Sequence, residues 1–278
     1  MKKLTPIIAI ILILIGVGIF AYPWISSMWN TRQSKDLVEQ YERDSVNLTD
    51  TEVNEQLLLA MEYNRRVSGL APYDPFSEKE PVPFPDYGEI LVAGNTGVMA
   101  TLEVPSIDLS LPIYHGVSDE VLEIGIGHMP TTALPVGGEG THCVLVGHNA
   151  IPSRVLFTHL DRVEVGDAII IHVLGIRLGY RVDQIMVVVP EETKPLLPVV
   201  GEDYISLVTC TPYGINSHRL FVRGIRDDSV LDEEGTKGII KINLTLLIAG
   251  LLTALAMGII ITIVAVVRHR RRTYIKIK

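Results

Sequence analysis

The sequence predicts a mainly β chain: an eight-stranded closed barrel preceded by N-terminal helices and flanked by two transmembrane helices. Three observations lead there. Two long uncharged apolar blocks lie near the ends, and residues 35–69 repeat apolar residues at helical spacing. From Glu89 onward, short β-branched or apolar runs alternate with Gly, Pro, Asp and Asn. Of 278 residues, about 210 lie between the two blocks, enough for one well-buried domain.

The first block, residues 1–31, has Lys2 and Lys3 ahead of Leu4 to Thr31, which carry no charge, and Ile7–Phe20 is almost wholly aliphatic or glycine. It reads as a retained membrane anchor or as a cleaved signal segment. Its apolar run is long for a signal, and Ala21-Tyr22-Pro23 is a poor small-x-small cleavage site. Trp24 and Trp29 suit an interfacial belt or a plain linker. On either reading, the domain after this block is exported.

Residues 32–88 form a helical region and a loop. A helix is expected over 35–69, with Asp50 capping a run in which Val53, Leu57, Ala60, Met61 and Val67 recur, and with Gly69 as the stop. Pro72, Pro75, Pro81, Pro83 and Pro85 then preclude helix over 70–88. The barrel domain, 89–230, is expected to hold strands at 90–93, 97–104, 111–114, 143–146, 168–173, 180–189, 204–209 and 220–222.

After a linker at 231–241 comes the second block. Residues 242–267 are 26 uncharged positions, ~39 Å of helix against a ~30 Å hydrocarbon core. A basic tail, 268–278, begins Arg268-His269-Arg270-Arg271-Arg272. Positive residues at span ends stay cytoplasmic, so both termini are expected inside and residues 32–240 outside. All 32 acidic residues and 15 basic ones lie in that middle stretch, a net −17 against −8 for the whole chain. Such an acidic domain argues against a nucleic-acid partner. The positive mean hydropathy comes largely from the two blocks and points to membrane lipid as a partner.

Only two cysteines are present, Cys143 and Cys210. In an exported domain they read as a disulfide, or Cys210 reads as a free nucleophile. Cys210 ends the apolar run 204–209 before Thr211-Pro212-Tyr213-Gly214, and a side chain at a strand end is exposed and rigidly supported. Arg219 starts the next strand nine residues on, close enough for a short hairpin to set its guanidinium beside the thiol, where it would stabilise a thiolate or an oxyanion. His148 follows Val144-Leu145-Val146-Gly147, again a strand end, and is the best-placed proton-transfer partner. His115, His128, His142, His159, His172 and His218 lack such a setting or read as solvated loop residues, and His269 sits in the tail. No cofactor or metal is expected: Cys and His show no close ligand pairs of zinc spacing, and no loop resembles a dedicated calcium site.

Leu145-Val146-Gly147-His148, Leu207–Gly214 and Asn216–Leu220 resemble the His, TLxTC and Arg motifs of sortases, the cysteine transpeptidases of Gram-positive cell surfaces. Gly97-Val98-Met99, Leu111–Gly116, Gly127-His128 and Leu134–Gly138 are most similar to the pilus-assembling class C. The resemblance spans roughly residues 55–226 and implies a sortase-type eight-stranded β-barrel with a lid loop. It implies that Cys210 attacks the Thr–Gly carbonyl of an LPxTG-like sorting signal and forms a thioacyl enzyme. His148 then protonates the leaving amine and deprotonates the incoming one, and Arg219 holds the carbonyl. The acceptor would be a pilin lysine, with a peptidoglycan amine as the alternative. Asp74-Pro75-Phe76 looks like the class C lid, with Asp74 pairing to Arg219 and Phe76 covering the thiol.

The sequence departs from the family pattern at three places. Ser206 stands where Thr is usual, Asn149 follows His148 where Arg is frequent, and Cys143 is an additional thiol that suits a buried strand position. Two other classes compete. A cysteine hydrolase is opposed by the order His then Cys, 62 residues apart, which does not fit papain-like enzymes, and by the absence of a caspase signature. A non-catalytic membrane-anchored β-domain binding a surface polymer would function without Cys210.

Overall fold

The uncharged block and the polar segment after it form one helix, α1 (Thr5–Val46), in the computed structural model, which describes residues 5–77 and 84–233. At ~1.5 Å per residue, its 42 residues span ~63 Å. The large apolar side chains of its first half are exposed from Leu12 to Trp29, and among the described residues α1 is the one helix long and apolar enough to cross a membrane. Its second half buries Ser34, Val38, Tyr41 and Ser45, one face at helical spacing. The Tyr41 hydroxyl donates to the Met99 carbonyl (2.7 Å) and accepts from the Leu174 amide (3.0 Å), which pins the helix to the barrel.

The single helix expected over 35–69 is two. Helix α1 stops at Val46 and α2 runs Asp50–Val67, with Thr49, not Asp50, as its cap. The Glu52 amide donates to Thr49 Oγ1 (3.3 Å) while the Thr49 amide donates to Glu52 Oε2 (2.8 Å). This reciprocal box starts a new helix and satisfies N–H groups that a continuous one would have bonded internally. The helix ends at Val67, ahead of the expected stop at Gly69. It buries Ala60, Tyr63, Asn64 and Val67, whereas Met61 faces solvent. Asn64 clamps Leu134 through both amide atoms, Nδ2 to its carbonyl (3.3 Å) and Oδ1 from its N–H (2.7 Å).

Eight strands close the barrel: β1 (Val98–Val104), β2 (Leu109–His115), β3 (Ile126–His128), β4 (Thr141–Val146), β5 (Ala168–Val173), β6 (Ile176–Val188), β7 (Asp203–Thr211) and β8 (His218–Arg226). Their order around the barrel is β1-β2-β3-β4-β7-β8-β6-β5, with β2–β3 and β4–β7 parallel and the other pairs antiparallel. The expected strand at 90–93 does not form. It follows a 3-10 turn at Tyr87–Glu89, and Leu91 has φ +61. Its apolar residues Ile90, Leu91 and Ala93 are buried by packing rather than by sheet pairing. Strand β3 takes its place in the count, three residues too short to signal themselves in the sequence. The expected linker at 231–241 opens inside a short helix, α4 (Val230–Glu233). The span expected at 242–267 and the tail at 268–278 lie outside the described residues.

Side chains alternate across the barrel wall. On β7, Ile205 and Leu207 join Leu145 and Val222 in the main core. Val208 points the other way, joining Val144, Val146, Phe221 and Leu196 in a second cluster, against which Tyr73, Phe76, Met186 and Val188 pack. Cys210 lies on that second face, two residues after Val208.

His128 and His142 are not solvated loop residues; both are buried. His128 Nε2 donates to the Ala133 carbonyl (2.8 Å) and Nδ1 accepts from the Tyr87 hydroxyl (2.8 Å). His142 Nδ1 donates to the Leu197 carbonyl (3.1 Å) and Nε2 pairs with Ser206 Oγ (2.8 Å). Burial holds them neutral, His128 down to about 3 and His142 down to about 4. The unfolded chain protonates both near pH 6.5, so between that value and 3–4 it binds more protons than the fold. Stability is therefore expected to be fully present above pH 6.5 and to drop as pH falls towards 4, read as a declining Tm.

Candidate active site

Register brings the expected site residues together. In the β7–β8 pair, Cys210 stands directly opposite Arg219, each one residue from its strand end. The parallel β4–β7 pair aligns Val146 with Val208, and the Gly147 amide continues the ladder by donating to the Val208 carbonyl (3.1 Å). His148 is the next residue, so it leaves β4 at the level where β7 presents Cys210. Only glycine fits at 147, because a Cβ there would stand 2.7 Å from both Ile126 Cδ1 and Phe157 Cδ2. The loop beyond is tied back by Asn149, whose Nδ2 donates to the Cys210 carbonyl (3.1 Å).

The segment Pro72–Ser77 covers this trio. Arg219 makes a two-pronged pair with Asp74, Nε to Oδ1 at 2.7 Å and Nη2 to Oδ2 at 2.8 Å. Its Nη1 donates to the carbonyls of Asn216 (3.1 Å) and His218 (3.2 Å). The Phe76 ring sits 5.1 Å from the Arg219 guanidinium carbon and 5.6 Å from the His148 ring. Thr193 Oγ1 donates to the Pro72 carbonyl (3.2 Å) and holds the start of the segment. Asp74 and Phe76 are thus in contact with the expected catalytic groups.

The electrostatics differ from the sequence expectation. Cys210, expected to be exposed, is only 6% accessible. Burial pushes its thiol up; Arg219 pulls it down, and Asp74 pushes it up again. Burial pulls His148 down, against the attraction of Asp119 and Glu123. Burial in the covered site thus works against a thiolate–imidazolium pair. Desolvation disfavours both charged forms, and Asp74 neutralises the guanidinium that would otherwise favour the thiolate.

The two cysteines are free, so the disulfide reading falls. Cys143 is a buried thiol on β4, paired in register with Ile205, and burial raises it well above the usual range. His115 Nε2 donates to the Ile90 carbonyl (2.8 Å), and His172 lies between Glu42 and Glu103. Two features of the site carry little sequence signal. Asn149 stands out only as a departure from pattern, and its clamp on Cys210 emerges only with the β4–β7 register. The acidic residues Asp119 and Glu123 on α3 (Asp119–Ile124) act on His148 across 25 residues or more, a distance at which no local motif signals them. Among the described residues no cluster of three or more His, Cys, Asp or Glu could hold a metal ion.

A thiol, an imidazole and a guanidinium on three adjoining chain ends are the parts of a nucleophilic acyl-transfer site. Comparison with known proteins gives the same direction. Residues 102–227 match the Sortase domain family. Sortase A of Bacillus anthracis is 27% identical over 151 residues, covering 54% of this chain and 70% of that protein. The solved structure of sortase C1 of GBS pilus island 1 is 39% identical with a TM-score of 0.64, covering 70% of this chain and 92% of that one. Sortase C of Streptococcus pneumoniae, a structure described with reference to pilin substrate specificity, is 37% identical with a TM-score of 0.64, covering 69% and 96%.

Proposed function

Because this chain belongs to the sortase family of cysteine transpeptidases, we propose that it cleaves an LPxTG-like sorting signal between Thr and Gly and joins the Thr carbonyl to a pilin lysine, polymerising pili. The observation that carries this reading is the Cys210–Arg219 cross-strand pair with His148 at the adjoining end of β4. Cys210 Sγ attacks the Thr carbonyl, and Arg219 faces the oxygen on which negative charge develops. His148 takes the thiol proton as Sγ attacks and passes it to the departing glycine amine; the Thr–Gly bond breaks, leaving a thioester on Cys210. The lysine amine then attacks that thioester; His148 takes its proton, an isopeptide bond forms and the thiol is released.

The catalytic domain lies outside the membrane of a Gram-positive cell, held by α1 and by a second span at 242–267, with both termini cytoplasmic. The likeness to pilus-related sortases C supports a pilin donor and acceptor. Incubation with an LPxTG-type peptide should add the peptide's N-terminal part to the Cys210 fragment in mass spectra. Adding a lysine-bearing pilin should convert that adduct to joined product. Product that forms only with water and never contains the pilin would point to a hydrolase; a peptidoglycan amine in its place would point to cell-wall anchoring.

Residues Asp74 and Phe76 act as a lid that must leave before substrate enters. The double variant Asp74→Ala, Phe76→Ala is expected to raise alkylation of Cys210 by about tenfold, the factor that ~1.4 kcal/mol of lost closure would give. Its alkylation–pH curve should also move to lower pH. Removing the Asp74 charge leaves Arg219 to favour the thiolate, and rehydration relieves the burial that raises the thiol. An unchanged rate and an unchanged curve would show that the segment does not guard the thiol.

A further inference from the structure

Helix α1 does more than tether. We infer that it fixes the barrel's orientation on the bilayer, setting the loop 149–155 that follows His148 against the lipid headgroup layer. This rests on the reading of α1 as a membrane span. Three observations carry it.

The helix is continuous from the apolar block into the barrel contact, Thr5–Val46 without interruption, although Pro23 lies within it. Its barrel half is fixed by the buried face Ser34, Val38, Tyr41 and Ser45 and by the two Tyr41 hydrogen bonds. A rigid element embedded at one end and packed at the other transmits orientation, which a flexible linker would not. The junction is also short: the last exposed apolar residue of the block, Trp29, is five residues before the buried Ser34.

The side chain immediately after Trp29 touches the active-site loop. Asn30 Nδ2 donates to the Ser153 carbonyl (2.9 Å) and lies 3.5 Å from Ser26 Oγ one turn earlier. Trp24 and Trp29 are exposed aromatic residues at the end of an apolar block, the composition of an interfacial belt. Arg32 and Lys35 follow within two turns and are exposed, suited to reach back to headgroups. Ser153 therefore sits at belt level, beside the exposed Pro152.

The same loop reaches the nucleophile. Asn149, four residues before Ser153, holds the Cys210 carbonyl. Four extended residues span at most ~14 Å, so Cys210 lies within roughly 25 Å of Asn30. The opposite end of the barrel, where β4 begins at Thr141 after the exposed Glu139, faces away from this contact. The partner surface is thus the lipid headgroup layer, and the catalytic end of the barrel is the end nearest it.

The test uses the full chain reconstituted into vesicles of phosphatidylcholine with one quarter phosphatidylglycerol, carrying a headgroup-linked nitroxide quencher. A fluorophore is attached at Pro152→Cys or at Glu139→Cys in a Cys210→Ala background, in which the buried Cys143 stays unlabelled. Quenching is expected to be severalfold stronger at 152 than at 139. A five-residue Gly/Ser insertion after Thr31 should bring the two probes to near equality. Flotation with the vesicles but equal quenching, or an insertion that changes nothing, overturns the inference. Failure to float removes the span and the inference with it, whereas thioester capture of a soluble peptide by the Cys210 enzyme tests the transpeptidase reading separately.

Discussion

Cys210→Ala is expected to abolish both adduct formation with an LPxTG-type peptide and joining to a pilin, because no other group in the covered site can form the thioester. Cys143 cannot substitute. It lies on the main-core side of β4 among Leu145, Ile205 and Leu207, and burial keeps its thiol protonated. The matched control is therefore Cys143→Ala, which removes a thiol but leaves Cys210, Arg219 and His148 untouched. That control should retain transfer and lose some stability, on the order of 1 kcal/mol for a small buried side chain. Mass spectrometry of the peptide-treated enzyme reads the first outcome, and thermal melting reads the second. A Cys210→Ala protein that still performs its surface role would favour the non-catalytic, polymer-binding alternative.

The barrel and its catalytic edge are legible in the sequence for a physical reason. Cys210 and Arg219 flank the loop of one hairpin, and antiparallel register across a short loop leaves little freedom in what faces what. His148 is harder, since its strand pairs with β7 in parallel, across 62 residues of chain. It is nevertheless marked by an apolar run ending in Gly-His. The strand expected at 90–93 fails because buried apolar residues mark burial, not pairing, and Leu91 adopts a left-handed φ that ends any ladder. The helix break at 47–49 is signalled only by the capping box Thr49–Glu52, and Asp50, one residue away, is an equally plausible cap by residue type. Exposure of the thiol is misread for a different reason. A strand end is open only until something covers it, and the cover comes from residues 72–77, more than 130 positions earlier in the chain. Likewise, composition cannot tell a solvated histidine from His128, whose partners Tyr87 and Ala133 are supplied by the fold.

Arg219→Ala should separate two effects that act in opposite directions. In the covered site Arg219 spends Nε and Nη2 on Asp74 and lies against Phe76, so its removal leaves the Asp74 carboxylate without its partner and should loosen the segment. Alkylation of Cys210 by a small reagent is therefore expected to rise. The variant also loses the pull of Arg219 on the thiol, but burial is the larger influence, and relief of burial wins. Peptide transfer should move the other way, falling by about 10²–10³, the range for removing one donor to a developing oxyanion. Arg219→Lys keeps the charge but not the planar fork, so it should lie between, with the segment 72–77 loosened and transfer only partly recovered. Parallel measurement of alkylation rate and kcat/KM decides the matter. If both fall together, Arg219 acts mainly by tuning the thiol; if alkylation rises while transfer collapses, the guanidinium holds the segment 72–77 at rest and serves the oxyanion during turnover.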